Sequence, residues 1–334
     1  MRVLLKGKHK DVDGIWYDGE LNIIDQTLLP QKLYFRKLTT AKEVAEAIKS
    51  MRVRGAPAIG IAGAYGLAIE AKRKNGNKKA ILEAAKLLKG TRPTAVDLAN
   101  CVDEVMKEET PSKMLDKANE IFERTISACK KIGELGEKLI APNSTILTHC
   151  NAGALATGDW GTALSPIRFA HRAGKSIFVY VDETRPRLQG ALTSWELLNE
   201  GIPHKVIADN ARGYLMRKGE INFAIVGADR VCVRDGSIAN KIGTYEVAVL
   251  AKENKIPFYV AAPLTTFDKI STEKDVVIEQ RSEREVLEIM GKRIFPKGAH
   301  AFNPGFDITP KEYITGVICE KGVFKPGELG RLFA

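Results

Sequence analysis

The sequence has few cysteines, and they show no pairing pattern. Five cysteines are spread over 334 residues, and none belongs to a CxxC motif or to a spaced group of metal ligands. This excludes a disulfide scaffold and gives no support to a cysteine-ligated metal site. The first residues also lack an apolar segment followed by a small-residue cleavage site. We therefore expect a cytoplasmic protein with reduced thiols.

Long hydrophobic runs are also lacking. The longest weakly polar run, from Ala56 to Ile69, is rich in glycine and shorter than the roughly 20 apolar residues that cross a bilayer. The net charge is +10, but the basic residues are scattered in short mixed runs with no interleaved aromatic stripe. Such scattering is typical of a lysine-rich surface that favours anionic ligands. We expect neither a membrane nor a nucleic-acid partner.

Nucleotide-binding loops are missing as well. No GxGxxG motif follows a predicted strand, and no GxxxxGK[ST] motif occurs. Three glycines, Gly60, Gly63 and Gly66, are spaced by three in a predicted helix, and we interpret them as sites of close helix packing. Nicotinamide-dependent and nucleoside-triphosphate-dependent enzymes are therefore disfavoured.

The patterns that are present predict an α/β protein of two domains. Short strands come first, and amphipathic helices follow from Thr40. After Pro142, β-branched strands alternate with helices, which predicts a doubly wound, Rossmann-like parallel sheet. We place a smaller N-terminal domain, a β-meander plus helices, at 1–115 and the Rossmann-like domain at 116–334, with a long helix passing between them.

Polar side chains collect directly after the predicted strands. Cys150 follows an apolar run in STILTHC, and Asp229 does the same in INFAIVGAD. Since the carboxyl ends of parallel strands face the ligand crevice, a thiol and a carboxylate placed there can meet across one site. Other strand-end residues expected at this crevice are Asp182, Asp209, Thr265 and Thr266. His149 alternates with Cys150 along the strand, so we interpret it as a core histidine, and we expect Asp182 to orient loops or to pair with Arg185 and Arg187.

Three segments place a cation before a predicted helix. They are Arg54-Gly55-Ala56, Thr91-Arg92-Pro93-Thr94 and Asn240-Lys241. Free backbone N–H groups and the helix dipole both favour an anion at such a helix start. Together with the predicted thiol and carboxylate, these segments indicate a small phosphorylated ligand.

Several long motifs then show a resemblance to a known family. THCNAGALAT, GTALSPIRFAHRAGK, VDETRPRLQGALTSWELLNEGIP, VGADRV, ANKIGTYEVAVLAK and AAPLTTFD, with RGAPAIG and TRPTAVDL, closely resemble methylthioribose-1-phosphate isomerases. The similarity extends from about residue 15 to the NPGFDITP segment. The wider group includes the regulatory subunits of translation initiation factor 2B and archaeal ribose-1,5-bisphosphate isomerases.

The resemblance implies an aldose-to-ketose isomerisation of a sugar whose anomeric hydroxyl is blocked by phosphate. Asp229 would protonate the ring oxygen, and Cys150 would move a proton from C2 to C1. For these roles we expect nearby cations and a following helix start to lower the pKa of Cys150, and burial to raise the pKa of Asp229. A hydride shift from C2 to C1, with Cys150 only polarising the site, is the alternative.

The resemblance also implies a set of ligand-binding residues. Arginine and lysine side chains would hold the phosphate, and amide side chains would bind the sugar hydroxyls, although a helix-capping role is open to Asn240. The implied set is Arg54, Gly55, Ala56, Arg92, Gln189, Asn240 and Lys241. A small phosphorylated sugar as the substrate and a homodimer are implied, and no metal or cofactor is expected.

Three departures from the family pattern keep the substrate open. An arginine that commonly follows QGA is missing, VIEQR replaces a segment resembling IPIEER, and AAPLTT replaces AAPxST. These changes fall in loops near the 5-substituent, so 5-deoxyribose 1-phosphate is an alternative substrate. Ribose 1,5-bisphosphate would need a second cation cluster, which the sequence does not indicate. A non-catalytic regulatory subunit is the alternative of another class, and the joint presence of Cys150 and Asp229 argues against it.

Overall fold

The computed structural model describes residues 1–5, 8–92 and 96–333. The α-helices are α1 (Ala41–Lys49), α2 (Ala56–Arg73), α3 (Lys78–Lys89), α4 (Val96–Met106), α5 (Pro111–Gly136), α6 (Leu164–Arg172), α7 (Gly190–Glu200), α8 (Arg212–Arg217), α9 (Thr244–Glu253) and α10 (Arg284–Leu287). The strands are β1 (Arg2–Leu5), β2 (Lys8–Asp11), β3 (Ile15–Tyr17), β4 (Leu21–Ile24), β5 (Phe35–Leu38), β6 (Ser144–Thr148), β7 (Ile177–Asp182), β8 (His204–Ile207), β9 (Phe223–Val226), β10 (Arg230–Cys232), β11 (Ile238–Lys241), β12 (Phe258–Ala261), β13 (Phe267–Asp268), β14 (Glu288–Ile289), β15 (Lys292–Arg293), β16 (Phe306–Thr309), β17 (Gly316–Cys319) and β18 (Gly322–Phe324).

Helix α2 forms the centre of the N-terminal half. It is apolar on nearly every face, and α1, α3, α4 and α5 surround it. A Cβ at Gly60 or Gly63 would lie within 3.0 Å of a side-chain atom of α4, and one at Gly66 would meet Val44 of α1 at the same distance. The prediction that these glycines serve helix packing is therefore confirmed. Among the described helices, none combines the length and the apolar content that a membrane crossing requires.

A seven-stranded sheet forms the core of the C-terminal half. Its strand order is β18-β17-β12-β9-β6-β7-β8, and every pairing is parallel except that of β17 with β18. Apolar side chains of the strands and of the flanking helices form the buried clusters on its faces. The α/β fold with a mostly parallel sheet, preceded by a smaller region of strands and helices, is as the sequence predicts. Because β6 and β9 are neighbours, the residues that follow them leave the sheet side by side.

Helix α5 runs through the domain boundary that the sequence predicts near residue 115. Met114 and Ile121 belong to the apolar cluster of the N-terminal helices, whereas Ile132 belongs to a cluster on the parallel sheet. One continuous helix of 26 residues thus contributes to both clusters. The division at residue 115 stays a prediction.

A second, four-stranded sheet lies over the end of the parallel sheet, with the order β13-β10-β11-β16. Strands β11 and β16 are antiparallel, and their register pairs Asn240 with Asp307 and Lys241 with Phe306. The amide of Asp229 donates to the carbonyl of Ala239, which ties the turn after β9 to β11. This small sheet brings residues from 229 to 307 into one place.

Asp97 on α4 is a buried carboxyl that should lower stability at neutral pH. It is 2% exposed, and burial raises its pKa to about 7, although the Thr265 hydroxyl opposes that shift. Since the pKa is higher in the folded state, the folded protein holds the extra proton, and its stability falls as the pH rises from about 4 to about 7. Asp97→Asn should therefore stabilise the protein above pH 7 by an amount on the order of 3 kcal/mol, and much less at about pH 4. Urea unfolding at the two pH values measures this difference.

The matched control for this prediction is Asp103→Asn. Asp103 lies on the same helix, is largely exposed and pairs with Lys89, so its loss should change stability little at either pH. A lower unfolding free energy for Asp97→Asn than for the unchanged protein at about pH 8 would contradict the pKa assignment.

Candidate active site

A cleft with about 860 Å³ of empty space opens at the carboxyl ends of β6 and β9. The start of α2 forms one side, the ends of the two parallel strands form the floor, and β11 and β16 form the opposite side. Every residue to which the sequence analysis gives a catalytic or ligand-binding role lines this cleft: Cys150, Asp229, Arg54, Gly55, Ala56, Arg92, Gln189, Asn240 and Lys241.

Cys150 lies two residues beyond the end of β6, and its thiol is partly exposed to the cleft. Burial raises the pKa of this thiol, and Asp229 raises it further, while Lys241 and Arg54 lower it. The cations lower this pKa as expected, but the net shift is upward, so the expectation of a depressed pKa is wrong. Loss of water around the sulfur outweighs both cations, a property of the folded cleft that sequence spacing does not report.

Asp229 lies three residues beyond the end of β9. Burial raises the pKa of its carboxyl, and Lys241 and Arg92 oppose that shift. The direction agrees with the expectation from the sequence. A carboxyl with a raised pKa holds its proton at higher pH and can serve as a general acid.

Lys241 interacts electrostatically with both groups. It is the strongest of the charges that lower the pKa of Cys150 and the pKa of Asp229. Its Nζ donates to the carbonyl of Gly305 and lies 4.5 Å from the ring centroid of Phe306. One ammonium group is therefore held where it can stabilise negative charge on either the thiolate or the carboxylate.

Asn240 lies next to Lys241 on β11 and is 5% exposed. The nitrogen of its side-chain amide donates to the Thr244 hydroxyl at 2.9 Å. The oxygen of the amide takes no part in this bond. The cap position of α9 is Gly243, and the helix-capping role for Asn240 is wrong. Gln189 is also buried, and its Oε1 has no hydrogen-bond partner among the described residues.

The start of α2 supplies a positive end to the cleft. Gly55 precedes the helix with φ 92°, and a Cβ there would lie 2.5 Å from Ala156, so only glycine fits this close approach. The Arg54 guanidinium donates from Nη2 to the carbonyl of Gln26 at 2.9 Å. Burial and the nearby Arg187 lower the pKa of Arg54 to about 10, so it stays charged at neutral pH.

Arg92 provides a second cation. Its Nη1 lies 3.7 Å from the sulfur of Met51, and burial together with Arg281 lowers its pKa. For both Arg54 and Arg92, the Nε has no hydrogen-bond partner, and neither guanidinium has a carboxylate partner, among the described residues. The other part of that predicted anion-binding segment, Pro93-Thr94, lies outside the described residues.

Two further arginines line the cleft, and the sequence analysis missed their role. Arg187 was expected to pair with Asp182, but its Nη1 pairs with Glu285 at 3.2 Å. Arg281, in the VIEQR segment, pairs with Glu279 at 3.3 Å. These glutamates neutralise both arginines, so Arg54, Arg92 and Lys241 are the cations without a carboxylate partner in the part of the cleft that the structure describes.

The third predicted anion-binding helix start, at α9, is already occupied. The carboxylate of Asp307 accepts from the amide of Gly243 at 2.6 Å and from the amide of Tyr245 at 3.2 Å. The antiparallel pairing of β11 with β16 delivers this carboxylate. The expectation that a ligand anion binds at this helix start is therefore wrong, because the Asp307 carboxylate occupies it. The Lys241 side chain still lines the cleft.

Of the strand-end residues, only Cys150 and Asp229 line the cleft. Asp182, Asp209, Thr265 and Thr266 do not, contrary to the expectation from the sequence. Asp182 instead accepts from Arg212 at 3.0 Å, and it lies 2.8 Å from Nδ1 of His149. His149 Nε2 donates to the carbonyl of Ile242 at 2.9 Å, so this histidine is buried with both nitrogens bonded, in agreement with the core role expected from the sequence.

A side cavity with both polar and apolar walls adjoins the cleft beside Asp229. It shares Asp229, Arg92 and Phe306 with the main cleft, and apolar parts of its own walls come from Ile59 and the 276–278 segment. A ligand bound between Cys150 and Asp229 can place an apolar substituent there.

Comparisons with known proteins show similarity along nearly the whole chain. The model of the initiation factor 2 subunit family matches residues 52–326. A Methanocaldococcus jannaschii protein, provisionally named methylthioribose-1-phosphate isomerase, is 56% identical over 325 residues, which cover 96% of this chain and 97% of that protein. The methylthioribose-1-phosphate isomerase of Acetivibrio thermocellus is 50% identical over 326 residues, 92% of this chain and 95% of its own.

Two solved structures share the fold over nearly the full length. The 5-methylthioribose 1-phosphate isomerase of Pyrococcus horikoshii superposes with a TM-score of 0.90 at 40% identity, covering 97% of this chain and 96% of that chain. The translation initiation factor eIF-2B subunit delta of A. fulgidus superposes with a TM-score of 0.85 at 43% identity, covering 95% and 97%. The chain is thus similar to proteins of two kinds by name, an isomerase and an initiation-factor subunit.

Proposed function

Because this chain belongs to the initiation factor 2 subunit family and resembles its methylthioribose-1-phosphate isomerases along nearly its whole length, we propose that it isomerises 5-methylthioribose 1-phosphate to 5-methylthioribulose 1-phosphate. One observation supports catalysis above all others. A thiol and a carboxyl, Cys150 and Asp229, face one cleft from neighbouring strands, together with two guanidiniums that have no carboxylate partner among the described residues. A purely structural subunit has no use for that combination.

The phosphate of the substrate binds at the start of α2. Arg54 and Arg92 supply charge-assisted hydrogen bonds to its oxygens, and the N-terminal end of the helix adds its positive dipole. Burial of both guanidiniums strengthens these bonds, since little water competes for the phosphate. The phosphate thereby fixes C1 and C2 of the sugar relative to Cys150.

Ring opening and proton transfer then follow. The protonated carboxyl of Asp229 gives its proton to the ring oxygen as the bond between that oxygen and C1 breaks. The thiolate of Cys150 removes the proton from C2, and the electrons of that C–H bond form the C1–C2 double bond of an enol phosphate. Cys150 returns the proton to C1, and the C2 hydroxyl gives its proton to Asp229 as the ketone forms. Both side chains end in the states in which they began.

The raised pKa of the Cys150 thiol bears on this sequence of steps. Burial disfavours the thiolate of Cys150, and Lys241 is the main cation that opposes this effect. A direct hydride shift from C2 to C1, with a neutral thiol donating a hydrogen bond, needs no thiolate and is the competing mechanism. We favour proton transfer because Lys241 contacts both groups electrostatically and can stabilise the charge as it moves from one to the other.

The apolar wall of the side cavity favours a 5-methylthio group over a second phosphate. Ile59 and Phe306 border it, and the one cation that it adds to the cleft, Arg230, pairs with Asp268 at 3.2 Å. A phosphate placed there would have to share Arg92 with the phosphate at C1, because Asp268 already neutralises Arg230. The 5-deoxy sugar also fits but buries less apolar area, and the methylthio group should therefore bind more tightly.

Turnover of three sugars tests the function. The purified protein should convert 5-methylthioribose 1-phosphate with the highest kcat/KM, 5-deoxyribose 1-phosphate about 10-fold less efficiently because a thioether and a methyl group are lost, and ribose 1,5-bisphosphate least. Ketose formation followed by NMR measures all three. Ile59→Ala tests the side cavity, because this variant should lower kcat/KM for the methylthio sugar more than for the deoxy sugar. Absence of turnover with every sugar would overturn the proposal and favour a non-catalytic role as an initiation-factor subunit, the kind of protein for which the A. fulgidus structure is named.

The proposal includes the setting that the resemblance implies. We propose that the enzyme acts in the cytoplasm as a homodimer and that its steps draw on no metal or cofactor. The substrate is a small phosphorylated sugar, in keeping with the names of the relatives.

A further inference from the structure

Cys150 has a backbone conformation that side chains rarely adopt. Its φ is 67°, in the left-handed region, directly after the last residues of a buried parallel strand. Such a conformation costs free energy and persists only where the surroundings fix it. The question is which groups fix it.

Two threonine hydroxyls hold the Cys150 residue from opposite sides. The amide of Cys150 donates to Oγ1 of Thr184 at 2.9 Å, and that hydroxyl in turn donates to the carbonyl of Asp182. On the other side, Oγ1 of Thr193 donates to the carbonyl of Cys150 at 2.7 Å. Both threonines are fully buried, and neither lines the cleft. Their hydroxyls therefore act on the cysteine and not on a ligand.

A second group of bonds fixes the two threonines. Thr184 itself has φ 62°, and its amide donates to the carboxylate of Asp209 at 2.8 Å, which accounts for the polar residue that follows β8. Thr193 accepts from the side-chain amide of Asn151 at 3.2 Å, and the same amide donates to Glu196 at 2.9 Å.

Glu196 extends this arrangement along the next turn. It lies one helical turn after Thr193 on α7, and its carboxylate also accepts from the amides of Ala154 and Leu155, at 2.7 and 3.3 Å. The loop that follows Cys150 is thus bonded to α7 along its length. A shift of the cysteine would break several of these bonds together.

We propose that Thr184 and Thr193 are positioning residues that hold the Cys150 sulfur at the reacting carbons. Asp209 fixes Thr184 directly, and Glu196 fixes Thr193 through the amide of Asn151. This inference rests on the proposed isomerase function. Without either hydroxyl, the Cys150 peptide relaxes from its left-handed conformation and the sulfur moves away from C1 and C2. Substrate binding through Arg54 and Arg92 is unchanged, because those side chains lie on other elements.

Four variants test the proposal: Thr184→Val, Thr193→Val, Thr184→Ser and Thr193→Ser. Valine keeps the shape of threonine and removes only the hydroxyl, whereas serine keeps the hydroxyl. Each valine variant should lose about 10- to 100-fold in kcat, with KM changed less than about threefold, and each serine variant should stay within about threefold of the unchanged enzyme in kcat. If the substitutions only reduced the amount of folded protein, the kcat of the valine and serine variants would fall regardless of whether the hydroxyl is kept.

Thr309→Val is the matched control. Thr309 is fully buried, and its hydroxyl has no hydrogen-bond partner among the described residues, so valine there should leave kcat unchanged. A valine variant at 184 or 193 that folds and keeps kcat within about threefold would overturn the proposal, as would a serine variant as impaired as its valine counterpart.

The rate at which iodoacetamide alkylates Cys150, followed by mass spectrometry, gives a readout that needs no substrate. The thiolate fraction of Cys150 depends both on burial and on the nearby Lys241 and Arg54, so displacement of the sulfur in Thr193→Val should change the alkylation rate at least about threefold at pH 8, with recovery in Thr193→Ser. A smaller change would overturn the proposal even if no sugar is turned over. A changed rate that serine restores, without turnover of any sugar by the unchanged protein, would support the positioning role and reject the proposed function.

Discussion

Replacing Cys150 with alanine or with serine should lower kcat by about 10³-fold or more in both variants. In the proposed mechanism the sulfur removes the C2 proton and returns it to C1, and neither a methyl group nor a neutral hydroxyl can do so. Serine is the informative change, because it keeps the size and the hydrogen-bond donor of the thiol. Its hydroxyl is a far weaker acid, and Lys241 cannot stabilise enough alkoxide in the same surroundings. Steady-state turnover of 5-methylthioribose 1-phosphate measures the effect.

The two substitutions also separate proton transfer from a hydride shift. In a hydride shift the thiol only donates a hydrogen bond, so Cys150→Ser would keep activity within about 10-fold while Cys150→Ala would lose far more. Substrate with deuterium at C2 gives the second criterion, since proton transfer lets part of the label exchange with water and a hydride shift retains all of it. Cys101→Ser is the control, because Cys101 is buried on α4 outside the cleft. Full retention of label together with an active serine variant would contradict the role proposed for Cys150.

The sequence predicts the parts of this site that depend on regular local structure. Cys150 and Asp229 each follow an apolar strand, and strand neighbours in a parallel sheet end at one edge, so their common location could be anticipated. The start of α2 could also be predicted, because glycine and proline at a helix start form a recognisable sequence pattern. These features need only the periodicity of the chain and the rules of the fold.

The features that the sequence does not predict depend on long-range pairing. Arg281 reaches the cleft from a segment of short irregular elements that shows no clear period, and Arg187 meets Glu285 across about 100 residues of chain. Asp307 takes the start of α9 only because β16 pairs with β11. The pKa of Cys150 rises for a similar reason, since the amount of water lost around the sulfur is a property of the assembled cleft.

Asp229→Asn should lower kcat by about 10²- to 10⁴-fold and should also change the shape of the pH profile. The active enzyme needs a protonated Asp229 and a deprotonated Cys150, and the pKa of each is raised by burial. For the unchanged enzyme, kcat should rise with pH until the pKa of Asp229 is reached, because the thiolate fraction grows while the carboxyl keeps its proton. Above that value the gain in thiolate and the loss of protonated carboxyl cancel, and kcat stays level up to the pKa of Cys150. It falls beyond that point.

In Asp229→Asn the carboxyl no longer titrates, so the residual kcat should rise continuously with pH up to the pKa of Cys150 and then level off. Measuring kcat at saturating substrate from about pH 5 to about pH 10 reports only groups of the bound complex, which removes the ionisation of free substrate phosphate from the profile. Asp103→Asn is the matched control, since Asp103 lies outside both cavities and pairs with Lys89 on the protein surface. If the level region persists in Asp229→Asn, a group other than Asp229 ends the rise of kcat at low pH. A drop in kcat of less than about 10-fold would show that ring opening does not depend on this carboxyl, because a lost general acid costs more than that.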